Sequence, residues 1–383
     1  MVKRRVSLFL LLFLWLMFPF SARCESLDES ILKITDSLDL AALPASFSNL
    51  LGDEEALRTL IGKLASGQKI ADPETLFTRL AVSAMSTLKN TFSGMTRLFL
   101  PAFLTGAAAR IRPTLPGSKS FRIAEYACFL SIAAVMAWDL KNHLALCEST
   151  VTQMAGAMQA LFPVLLTLLT AIGGAAGAAC YQPALTAAGG TMITFVRSFT
   201  LRIALLHGAM TILNHLSDSM DLGRLCALLR RLAAWTLGVA FTLFLSVTTL
   251  QGVTGAIRDG ISIRTMKYAV NNFVPVVGGM FADTMDTLIG SGLLVKNALG
   301  VTGLVGLMLL SAGPMFETLC AAFVYRLSGA LLELVAPKRL CTCMDRFASV
   351  LTLFFVIELS VGAMFFLLAA QLLAAGNLIV MLR

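Results

Sequence analysis

Apolar residues in this chain come in long runs separated by short polar stretches. The runs cover about 92–109, 121–138, 152–180, 191–216, 232–250, 298–312, 315–335 and 347–375. A bilayer core about 30 Å thick needs about 20 apolar residues in a helix, so most of these runs are span-sized and the first, second and sixth are marginal. Gly313-Pro314 divides the sixth from the seventh, either as a tight hairpin or as a kink in one long element. The pattern predicts an all-α, polytopic helical membrane protein with six to eight spans.

The first 91 residues read differently. Lys3, Arg4 and Arg5 precede an apolar stretch, Val6–Phe20, too short for a span, which is the layout of a secretory signal peptide over 1–24. Cleavage or retention as an anchor is left open by the poor site near Ala22 and Cys24. Residues 25–91 then form a small exported region with ten acidic and six basic residues up to position 90. Leu27, Ile31, Ile34 and Leu38 recur at helical spacing. Asp53-Glu54-Glu55 and Asp72-Pro73-Glu74 look like helix starts. The polytopic domain occupies 92–383.

The segment 251–297 interrupts that domain. It sits between span-sized runs yet carries Arg258, Asp259, Arg264, Lys267, Asp283, Asp286 and Lys296. Gly252, Gly255 and Gly260 loosen the exit of a span. Ile261, Ile263 and Met266 alternate with Arg264 and Lys267, as in an amphipathic element at the membrane surface. Pro275 and Gly278-Gly279 would break "NNFVPVVGGM", which suits a broken or re-entrant segment buried in protein or facing a cavity. A plain amphipathic connector is the alternative.

Composition narrows the class. Of 383 residues 57% are apolar and 14% charged, against about 25% charged in soluble domains. The net charge of +8 is scattered through short loops, as the positive-inside rule requires, and does not point to nucleic acid. Cys128, Cys180, Cys226 and Cys320 lie in or beside apolar runs. Cys341 and Cys343 form a C-x-C in a polar loop, without further metal ligands nearby in sequence. No phosphate-binding loop, H-E-x-x-H or G-x-S-x-G occurs, so no cofactor, metal or catalytic residue is assigned. "AIGGAAGAAC", 171–180, puts Gly173 and Gly177 on one helix face, as in close helix packing. Arg197, Arg202, Glu317, Glu333 and Glu358 are charges within apolar runs, which face a bundle interior, a wet cavity or the headgroups. Counting spans from an exported 25–91 places 110–122, 251–297 and 336–346 on the cytoplasmic side. The same count puts 217–231 outside, in conflict with Arg224, Arg230 and Arg231.

"LQGVTGAIRDGISIRTMKYAVNNFVPVVGGMFADTMDTLIGSGLLVKNALGVTGLVGL" resembles the signature region of the stage III sporulation protein AE family of endospore-forming bacteria. "MQALFPVLLTLLTAIGG" (158–174) and "YRLSGALLELVAPKRL" (325–340) resemble two further blocks in the same order. The resemblance covers roughly 120–375. It implies a non-enzymatic subunit of the channel complex, or feeding tube, that links the mother cell to the forespore and sustains late forespore transcription. It also implies a place in the mother-cell-derived membrane around the forespore. The implied partners are other membrane subunits of the stage III complex and a separate cytoplasmic ATPase. Gly252, Arg258, Asp259, Gly260, Arg264, Lys267, Asn272, Pro275, Gly278, Asp283, Asp286, Lys296 and Asn297 match the main block and are expected to line a pore or bind a partner. A stand-alone secondary transporter is the other reading, with no internal repeat to support it.

Overall fold

The computed structural model describes residues 119–381 apart from 187–189, 217–221, 274–277 and 335, together with Met85, Lys89 and Phe103. The signal segment, the rest of 25–91, the rest of the 92–109 run and Pro275 lie outside the described residues. All regular structure among the described residues is helical.

Helix α1, Lys119–Ala171, fuses two of the expected runs. The polar stretch between them holds Asp139, Lys141, His143 and Glu148, but neither Gly nor Pro, so nothing stops the helix. Its end is a glycine cap. Gly173 has φ 91°, the left-handed region that a Cβ disfavours. The Gly174 N–H donates to Leu169 O and the Gly173 N–H to Thr170 O, both 2.9 Å, the paired bonds of a Schellman motif. The small residues of 171–180 therefore end one helix and begin the next, α2 (Ala175–Thr186), instead of forming one face.

Helix α3 opens as Met192–Phe195, carries a π-helical stretch over Val196–Thr200 and continues as Leu201–Leu216. Helix α4 is Gly223–Phe273. Helix α5 is Gly278–Leu332 and stays helical through Gly313-Pro314, so of the two readings of that pair the single long element is correct. Helix α6 is Lys338–Met381. The C-x-C expected in a loop lies in its first turns, with Cys341 and Cys343 buried as free thiols.

Five helices among the described residues are long and apolar enough to cross a membrane: Phe129–Ala171, Met192–His215, Gly223–Leu250, Ile289–Leu332 and Lys338–Asn377. The runs 121–138 and 152–180 merge, as do 298–312 and 315–335. The chain is a multi-pass, all-α membrane protein.

Helices α5 and α6 form the central seam and run antiparallel. Asn297 meets Asn377 at one end, Met315 meets Gly362 midway, and Gly329 meets Cys341 and Met344 at the other. A Cβ on Gly303 would lie 2.8 Å from Leu161, so α1 approaches α5 through a glycine. Close approach of this kind substitutes dispersion for the hydrophobic drive that lipid removes.

This register sorts the loops. The first turns of α6 pack beside α1 residues Phe129 and Met136 and beside Tyr325 of α5. His215, at the end of α3, faces Arg339 and Arg346 of α6. The far end holds Thr249 of α4 against Gln371 of α6. Residues 222–231 and 336–346 thus share one end with the start of α1, and the described part of 251–297 occupies the other. The expectation that 251–297 and 336–346 lie on one side does not hold, because a single continuous helix separates them.

Candidate functional site: buried polar groups along the central seam

The expected site divides across two helices. Gly252, Arg258, Asp259, Gly260, Arg264, Lys267 and Asn272 extend α4 in unbroken helix, and Gly278, Asp283 and Asp286 form the opening turns of α5. The amphipathic element is therefore a continuation of a span and not a separate helix, and residues 274–277, on which the re-entrant reading turns, lie outside the described residues. From Thr249, which touches α6, to Phe273 the helix advances about 36 Å. Ile261, Thr265 and Tyr268, spaced four and three apart on one face of that extension, are exposed. The charges of 251–288 balance, three basic against three acidic.

Lys296 and Asn297 turn inward where that segment meets the bundle. Lys296 is 0% exposed, and its ammonium donates to Leu372 O at 2.8 Å and to Leu373 O at 3.4 Å. Gly376 makes the room, since a Cβ there would collide with Lys296 Nζ. Around them the Asn297 amide donates to Asn377 at 3.1 Å, the Tyr181 hydroxyl to Gln371 O at 3.4 Å, and the Gln371 amide to Thr249 at 3.1 Å. Four elements, α2, α4, α5 and α6, are pinned at this one level. Burial pushes the Tyr181 phenol up to about 12, so it remains a donor near neutrality.

Two more polar levels follow down α6. Glu358 lies about 21 Å from Leu372 along the helix and is 0% exposed. The Cys147 thiol of α1 and the Thr318 hydroxyl of α5 lie beside it. Both are near enough to act as weak donors, but no hydrogen bond of good geometry reaches either carboxylate oxygen or the Thr318 hydroxyl. About 20 Å further on, Tyr325 donates a short hydrogen bond to Asp139 and packs edge-on against Phe347, with Arg326 and Asp345 paired at 3.4 Å on the surface.

The charges singled out within apolar runs therefore part company. Arg202 pairs with Glu148 of α1 at 3.3 Å, while Arg197 is exposed on the π-helical stretch. Glu317 and Glu333 are exposed, and Glu358 alone of the three glutamates is buried. Gln371, Asn377, Thr249 and Tyr181 escaped sequence reading. Each is an ordinary polar residue in or beside an apolar run, joined to the site only by helix packing. No group of three His, Cys, Asp or Glu that could hold a metal exists among the described residues.

The comparisons with known proteins agree on one family. Residues 56–376 match the profile of "Stage III sporulation protein AE (spore_III_AE)". The chain is 33% identical over 243 residues to "Stage III sporulation protein AE" of Bacillus subtilis (strain 168), which covers 63% of this chain and 61% of that protein. The match thus spans about three-fifths of the length of the curated relative. No solved structure matches. The family is a sporulation family and not a known enzyme family. With a helical membrane fold and a profile match running from residue 56 to the last turns of α6, the chain belongs to the stage III sporulation protein AE family.

Proposed function

We propose that this chain is a non-enzymatic membrane subunit of the channel complex between mother cell and forespore, and that its two ends serve different partners. The observation that carries this reading is the separation of charge along the bundle. One end gathers Arg224, Arg230, Arg231, Lys338, Arg339 and Arg346 against Glu333 and Asp345, and the start of α1 adds Lys119 and Arg122 against Glu125. The other end is charge-balanced and carries the α4–α5 extension. By the positive-inside rule the basic end is cytoplasmic. This removes the conflict at 217–231 and turns the 251–288 helices toward the exported side, in the space between the two membranes. A cytoplasmic ATPase would meet the basic end. Other membrane subunits would meet the exposed face at Ile261, Thr265 and Tyr268.

The stand-alone transporter fits less well. Transporters place broken helices at the midplane, whereas α5 and α6 run continuously there.

Arg264→Ala and Asp283→Ala should leave the protein in the membrane and stop sporulation after engulfment. A Tyr268→Cys variant produced in growing cells, before any engulfed compartment exists, should react with a membrane-impermeant maleimide added outside the cell. Normal spore yield in both alanine variants defeats the working-surface assignment. Labelling of the Tyr268→Cys variant only after permeabilisation reverses the sidedness.

A further inference from the structure

Lys296 and Glu358 are the two Lys, Arg, Asp or Glu side chains that are fully buried among the described residues. Lys296 is hydrogen-bonded. Glu358 is not, and it lies near the centre of the apolar stretch Lys338–Asn377, about 30 Å of helix from either end. No ion pair reaches it among the described residues. The titratable and charged groups facing it are the Cys147 thiol from α1 and Glu317 from α5. Arg202, a cation of α3, pairs with Glu148, the neighbour of Cys147 in sequence. A bare carboxylate in such a place carries the full cost of its lost hydration, and an isolated buried charge of this kind neutralises instead.

The neighbours suit the neutral acid. A protonated carboxyl has one O–H to donate and a carbonyl oxygen to accept. The Thr318 hydroxyl, itself without a partner, offers both an acceptor lone pair and a donor O–H. The Cys147 thiol adds a weak donor from the third helix. The ionised form keeps weak donors alone and gains no cation.

We propose that Glu358, with the Cys147 thiol and the Thr318 hydroxyl beside it, is a proton-binding site in the middle of the membrane domain. It takes up one proton when the seam of α1, α5 and α6 is closed as seen here, and it releases that proton only where the seam opens to water. The site rests on the membrane fold and not on the channel reading, so either can fail without the other.

The test uses the full chain in lipid vesicles and dicyclohexylcarbodiimide, an apolar reagent that enters lipid and adds to protonated carboxyls. Adducts are located by mass spectrometry, and rates are corrected for the measured loss of reagent at each pH. Glu358 should be labelled, with a rate at least about tenfold lower at about pH 9 than at about pH 6. Glu358→Gln should lose the adduct and also the protonated-carboxyl C=O band in infrared spectra. Absence of an adduct at Glu358 in protein of native helix content overturns the proposal. So does a rate independent of pH. Protection by sodium or potassium chloride at constant pH overturns it in favour of a metal-cation site.

Discussion

Lys296 and Glu358 sit on the same seam, equally buried, and have been treated in opposite ways by the fold. The lysine borrows two carbonyl oxygens of α6, while the glutamate has no hydrogen bond. The difference follows from what a helix can offer. A helical carbonyl has a second lone pair after its N–H···O bond, so it can accept again. A helical N–H has one hydrogen, already used. A helix bundle can therefore solvate a buried ammonium from its own backbone, but a buried carboxylate must find side-chain donors. Lys296 is thereby a structural rivet, and Glu358 is left with chemistry to do.

That contrast can be broken most violently by Lys296→Glu. It aims a carboxylate at the carbonyls of Leu372 and Leu373, and the loss should be about 3–5 kcal/mol. The variant is expected to disappear from the membrane fraction at growth temperature, as an immunoblot would show. If it accumulates normally, the carbonyl cradle is not holding the lysine. Gly376→Val comes next, at about 1–3 kcal/mol for overpacking the space that Lys296 Nζ fills. Its midpoint of thermal unfolding in detergent should fall, and Lys296→Ala should rescue part of the fall. Independent, additive effects would mean that the two side chains do not share that space. Glu358→Gln has the smallest effect on stability, about 1 kcal/mol or less. It should still abolish heat-resistant spores, which a merely structural role for Glu358 would not predict.

How far could the sequence go? The runs at 191–216 and 347–375 became helices nearly where their composition put them, because an apolar stretch of this length must satisfy its backbone internally. The break expected at Pro275 and Gly278-Gly279 falls on residues 274–277, outside the described residues, between helices that end at Phe273 and begin at Gly278. The same reasoning left Gly313-Pro314 open between a hairpin and one long element, and packing decided for the second, since a proline in a packed membrane helix costs one hydrogen bond and need not end the helix. It also misjudged Gly173, whose role is a left-handed cap and depends on a dihedral angle that no spacing reveals. The order of loops along the bundle changed because two expected turns, at 139–151 and at Gly313-Pro314, are helical. The partnership of Cys147, Thr318 and Glu358 was illegible, because residues so far apart in the chain are joined only by the packing of three helices.

Pro314 has one more consequence. It has no N–H, so the carbonyl of Leu310 loses its partner one turn back, and α5 can flex there without giving up a bond. Thr318 lies one turn beyond. A local softness of the rod at that level would swing the hydroxyl toward or away from α6 while both helix ends stay pinned, the lower by Tyr325 on Asp139 and the upper by Lys296 in its cradle. The seam is stiff at its ends and compliant at its waist, and the waist is where the carboxyl waits.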